Sequence, residues 1–200
     1  MSIKPSQPPS EAVNSLQGGL GQMRAAPGAA PAGAFDAAFS SGHESHWDDG
    51  LPHQAFNLGL DAVQAGRGVD AAQAVGWRFL LGQPAEHPTV AAEVADAGGQ
   101  HEFSGLNRGP FVGQTLSAMK QAEQVEEVKN GDYEPRLLRV PALYVVALWL
   151  KERTTGKDIV IPLDPAPPNL TPGRHYTADE FAAELAEMSA RMPAPPPHAP

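Results

Sequence analysis

The densest gathering of chemically capable side chains is the stretch HESHWDDGLPH at 43–53, which carries His43, Glu44, His46, Asp48, Asp49 and His53. Neutral imidazole together with carboxylate is a donor set that suits zinc, iron or nickel. One expectation is therefore a metal-dependent enzyme using His43, His46, Asp49 and His53, with His101 as a further ligand. The spacing speaks against it. His43-Glu44-Ser45-His46 is one residue short of H-E-x-x-H, whose two histidines must stand four apart to share a helical face. Asp48 or Asp49 is also well placed as a helix-start residue, where a carboxylate meets the positive end of the helix dipole. The preferred reading is a solvated capping segment, with no catalytic, cofactor-binding or metal-binding residue assigned.

The remaining candidates are weaker. His87, His101 and His175 are single histidines, and although Ser104 lies near His101 and Glu102, the chain has no G-x-S-x-G elbow. GGLGQ at 18–22 lacks the lysine and the preceding strand of a phosphate loop, and GRG at 66–68 reads as a connection between helices. Trp47, Trp77 and Trp149 read as core or interface anchors. Asn169-Leu170-Thr171 matches a glycosylation acceptor, which has no consequence in a chain read as lacking a secretion signal.

Composition narrows the classes further. The chain has 200 residues, no cysteine and formal net charge -9, from 14 basic and 23 acidic residues. Disulfides, thiolate nucleophiles and cysteine zinc sites are excluded. The charge opposes binding to DNA, RNA and anionic membranes, and MSIKPSQPPS has no apolar stretch of the kind a secretory signal needs. A cytoplasmic protein is expected, and the bias to Ala, Gly, Pro and Arg is of the kind GC-rich bacterial genomes produce.

To position these residues the sequence offers three regions. Residues 1–47 are rich in Ala, Gly, Pro and Ser without a sustained period, and are expected to be a disordered arm. Residues 193–200, PAPPPHAP, read as an extended proline-rich tail. Between them, 48–192 is expected to form one α+β domain: an N-terminal helical subdomain of about four helices, a small antiparallel sheet, and a C-terminal amphipathic helix.

The four helices are read at 51–66, where Leu51, Ala55, Leu58 and Ala62 recur at helical spacing; from Asp70 to Leu81; at 88–98; and at 111–131, where Val112, Leu116 and Met119 align. GGQHEFSGLNRGP at 98–110 reads as a loop. No repeat of solenoid period is present.

The run from Val140 to Leu150 is too short to cross a bilayer, which takes about 20 residues. Tyr144, Val145, Val146 and Trp149 favour a strand, TTGK supplies a turn, and DIVIPL a second strand. Arg153 and Asp158 stand close enough to pair near that turn, and 136–140 can add a third strand. A buried helix over 141–153 is the competing reading. As a hairpin the run is apolar on both faces, so both must be covered, by this chain's helices or by another protein.

In YTADEFAAELAEMSARM, Thr177 and Glu180 form a capping box, and Phe181, Leu185, Met188 and Met192 share a face. The expected function is non-enzymatic: an acidic module that binds another protein or itself through the hairpin, with an inhibitor or immunity-type role as a specialisation. A structural component of a larger assembly is a further alternative.

Overall fold

The apolar run lies inside an eight-stranded sheet. The computed structural model describes residues 3–25, 51–81 and 90–192. The strands are β1 (Leu51–Asn57), β2 (Gln73–Leu81), β3 (Val90–Ala97), β4 (Gln100–Asn107), β5 (Tyr133–Val140), β6 (Val145–Glu152), β7 (Ile159–Pro162) and β8 (Tyr176–Thr177). Their order across the sheet is 4-3-2-1-5-6-7-8. All neighbours are antiparallel except β1 and β5, which run parallel at the centre. The helices are α1 (Ser10–Ala25), α2 (Leu60–Gln64), α3 (Pro110–Ala122), α4 (Glu126–Lys129) and α5 (Ala178–Ala190). None is long and apolar enough to cross a membrane.

The fold is α+β, but the helical subdomain expected before the sheet is replaced by strands. Three of its four helices, at 51–66, 70–81 and 88–98, are mainly β1, β2 and β3, and the expected loop at 98–110 contains β4. Only five residues of the first, Leu60–Gln64, are helical. The fourth is present as α3 and α4. Within the expected arm, Ser10–Ala25 is a helix that buries Ala12, Leu16 and Leu20. Residues 26–50 and 193–200 lie outside the described residues.

The strand in GWRFLL has a physical cause. Trp77 and Phe79 face α1, while Leu80 faces α3. A strand buried on both sides shows no polar alternation, and its apolar residues can match helical spacing by coincidence. Gly76 is needed because a side chain there would collide with the Val94 carbonyl oxygen on β3. In β3, Ala91 and Ala92 are both fully buried, one on each face. Their helix propensity yields to a site where only small side chains fit between sheet and helices.

The C-terminal half matches expectation more closely. β6 and β7 form the hairpin, β5 is the third strand, and Thr177 and Glu180 make the capping box of α5. Val145, Ala147 and Trp149 face one side with Phe181 and Leu185 of α5. Leu148 and Leu150 face the other, with Ala118, Met119 and Ala122 of α3. At about 1.5–3 kcal/mol per buried large apolar side chain, leaving either face open would forfeit several kcal/mol. The chain's own helices cover both faces. A charge placed at Trp149 would therefore report on the core and not on a partner.

The sheet also contains a repeat of elements. Strand, short helix, three strands and helix occur in that order as β1, α2, β2, β3, β4 and α3. They recur as β5, a 3-10 turn at Pro141–Leu143, β6, β7, β8 and α5. The two sets lie on either side of the parallel β1/β5 pair, and their closing helices cover opposite faces.

The β6–β7 turn is organised by two carboxylates. Asp158 accepts from Trp149 Nε1 at 2.8 Å, Lys151 Nζ at 3.0 Å and the Glu152 amide at 3.0 Å. The expected pairing of Arg153 with Asp158 is replaced, since Arg153 pairs with Glu134 at 3.1 Å. Glu152 accepts from the amides of Thr154, Thr155 and Gly156 and from the Thr155 hydroxyl. These donors, the Thr155 amide first, hold its carboxyl at about 2, below its ordinary 4.5. A depressed carboxylate pKa adds stability that is complete above the unfolded value and is lost as pH falls toward the folded one. Glu152→Gln is thus expected to flatten the decline of stability between pH 4.5 and about 2. Denaturant unfolding at a series of pH values checks this, and equal slopes for the two proteins would refute it.

Candidate functional site

On the face covered by α3, three charged or titratable side chains stand in register across β1, β2 and β3, and a fourth joins them from β5. His53 is opposite Arg78, and Arg78 is opposite Glu93. Arg139 of β5 reaches across the central strands to the same carboxylate. Arg78 donates to Glu93 Oε1 from Nε at 2.7 Å and from Nη2 at 2.6 Å. Arg139 Nη2 lies 3.1 Å from Oε1 and 3.0 Å from Oε2. The Arg78 side chain is 3% exposed, that of Glu93 19% and that of Arg139 30%.

The electrostatics follow from burial. Desolvation lowers the Arg78 pKa and Arg139 lowers it further, while Glu93 acts in the opposite direction. His53 is fully buried. Burial first, then the charges of Arg78 and Arg139, lower its pKa to about 3 against an opposing hydrogen bond to Leu51. The ring is neutral at physiological pH, and its Nδ1–H donates to the Leu51 carbonyl at 3.0 Å. Nε2 is then an acceptor, buried without a partner among the described residues, as is Asn57 Oδ1 on the neighbouring stretch of β1.

Beside Arg139 the surface opens into a cleft of about 760 Å³, within the range of ligand-sized pockets. Its walls are Phe111 at the start of α3, Leu143, Val146 and the Pro165–Ala166–Pro167 segment, and Arg139 is the charged group among them. The cleft exists because β5 turns into β6 through the 3-10 turn at Pro141–Leu143, with Val140 paired to Val145 and Arg139 to Val146. Closing that turn requires one residue in the left-handed region, and the residue there is Tyr144, at φ 55° and ψ 33°. It is the one non-glycine residue with positive φ among the described residues. For a side chain with a Cβ that conformation costs about 1–2 kcal/mol. Tyr144 is 86% exposed, so it recovers little of this by burial.

The residues singled out in the sequence lie elsewhere. His43, Glu44, His46, Asp48, Asp49, Trp47 and His87 are outside the described residues. His53 is sealed inside the sheet beside a guanidinium that would repel a cation, so the fold does not offer it as a metal ligand. Among the described residues no group of three or more His, Asp or Glu side chains is placed to hold a metal ion. His101 and Ser104 are three apart on β4, and the Ser104 hydroxyl donates to the Glu93 carbonyl at 3.1 Å. His175 lines a second, polar recess near the start of α5 with Asp70, Glu127 and Asp179. Burial lowers its pKa, and Glu127 opposes the shift. GGLGQ lies on α1, where Gly19 gives room to the Phe103 ring. Trp77 and Trp149 are core residues.

The sequence assigns no role to Arg78, Glu93 or Arg139, and Tyr144 reads in it as a strand residue, whereas β6 starts only at Val145. Each of the three charges interrupts or ends a local apolar run, in GWRFLL, VAAEVA and LLRV. A lone charge in such a run is itself a signal, because a buried charge needs a partner. Compared with known proteins, the chain matches no family model, no curated protein and no solved structure.

Proposed function

We propose that the chain is a non-enzymatic protein-interaction module, and that the cleft below Tyr144 receives an apolar segment of a partner protein. The observation that carries this reading is Tyr144: a large aromatic held in a costly backbone conformation, exposed, at the rim of an apolar cleft. Exposed aromatics beside pockets are typical anchors of protein interfaces. The doubly apolar hairpin, which motivates an interaction role in the sequence, is covered by α3 and α5 and does not support it.

Replacing Phe111 by p-benzoylphenylalanine keeps an aromatic ring in the cleft wall and makes it photoreactive. Irradiation of the full chain in its native cells, followed by mass spectrometry, is expected to give an adduct with one identified polypeptide whose cross-linked residues are apolar. Val146→Asp should abolish it. An adduct of twice the chain's own mass would make the occupant a second copy, and no adduct dependent on Val146 would remove the cleft as a binding surface. Either result overturns the reading.

A further inference from the structure

Charge counting at the base of the cleft identifies what the bound segment carries. Among the described residues, the carboxylate that Arg78 and Arg139 contact is Glu93, one negative charge between two guanidiniums. His53 next to them is neutral and adds nothing to either side. Among the described residues one positive charge is therefore unmatched, in a chain whose formal net charge is -9. The two arginines are not equally open to an incoming anion. Arg78 is enclosed, whereas Arg139 is partly exposed and lines the cleft.

The rest of the lining is apolar, from Phe111, Leu143, Val146 and Pro165 to Pro167. An apolar segment seated there excludes water from around Arg139. Losing that water is costly for the guanidinium unless an acceptor replaces it, and a carboxylate is the acceptor that also removes the excess charge.

We infer that the segment bound in the cleft presents an acidic side chain, flanked by apolar residues, whose carboxylate pairs with the free edge of the Arg139 guanidinium. This rests on the cleft being a protein-binding surface. The carboxylate is assigned to a side chain and not a chain terminus, because a carboxylate within a segment leaves apolar residues on both sides of it to occupy the apolar lining around Arg139. The pairing adds recognition by charge to a surface that would otherwise accept any apolar segment.

Three capped tripeptides separate the possibilities by methyl NMR on the full chain: acetyl-Leu-Glu-Leu-amide, acetyl-Leu-Gln-Leu-amide and acetyl-Leu-Gln-Leu with a free C-terminus. Shifts of the Val145 and Val146 methyls report occupancy, at concentrations up to roughly 50 mM because fragments of this size bind weakly. The Glu peptide is expected to bind about fivefold to tenfold tighter than its Gln amide, as a partly desolvated charge-assisted pair implies. Arg139→Gln should erase that difference and leave the weaker binding intact; it also leaves Glu93 and Arg78 balanced one to one. Equal binding of Glu and Gln peptides overturns the acidic side chain while the cleft reading stands. Tightest binding of the free-terminus peptide overturns the side-chain source. No shift at Val145 or Val146 with any of them overturns the cleft reading itself.

Discussion

Glu93→Ala is expected to destabilise the protein by about 3–5 kcal/mol, the usual cost of removing one partner from a buried ion pair. The carboxylate holds two guanidiniums, with contacts of 2.6–2.7 Å to Arg78 and 3.0–3.1 Å to Arg139. Most of the cost comes from Arg78, which without Glu93 would keep its charge in an almost fully buried site, close to a second like charge. Arg139 can turn toward water, so its share is small. Glu93→Gln should cost less, because the amide oxygen still accepts a hydrogen bond. Arg78→Met combined with Glu93→Leu should recover most of the loss, since an apolar pair of similar volume avoids the desolvation cost altogether. Urea unfolding of the three variants checks the order. A loss below about 1 kcal/mol for Glu93→Ala would mean that the network is solvated and that the charge imbalance at the cleft has no energetic weight.

The C-terminal half was legible in the sequence because its signals are local. Thr177 and Glu180 cap α5 from three residues apart, and Gly156, at φ 70°, supplies the turn, although the β6–β7 connection runs over 153–158 and not only the four residues of TTGK. The alternation of Val145, Ala147 and Trp149 against Leu148 and Leu150 assigned both faces of β6 correctly. The N-terminal half reads as helices because what makes it a sheet is not local. β1 pairs in parallel with β5, Ala55 beside Leu137, and no feature of LPHQAFN announces that partner. β2 and β3 are buried on both sides, which removes the period of two, and the alanines of β3 imitate a helix.

The candidate site was hidden for a related reason. Tyr144 sits in the run LYVVALWL, where it reads as one more strand residue. Its left-handed backbone follows from the length of the turn between Val140 and Val145 and not from its own type. Arg78, Glu93 and Arg139 come from three strands that only the sheet order brings together. The metal-capable residues at 43–53 drew attention by proximity in sequence, and the one of them described in the fold, His53, serves as a neutral core residue bonded to its own strand.

Tyr144→Gly separates a binding role for Tyr144 from a structural one, because the two roles predict opposite signs for stability. Glycine adopts the left-handed region without the steric penalty, offset by its greater freedom in the unfolded chain. With an exposed tyrosine there is little packing to lose. The variant is therefore expected to melt at the same temperature as the parent or up to about 2–4 °C higher, the shift that 1 kcal/mol produces in a chain of this size. The Val146-dependent adduct at position 111 should disappear in the same protein. That combination, stability kept and binding lost, is the result the account predicts. A lowered melting temperature with the adduct retained would show that Tyr144 packs rather than binds, and would contradict it.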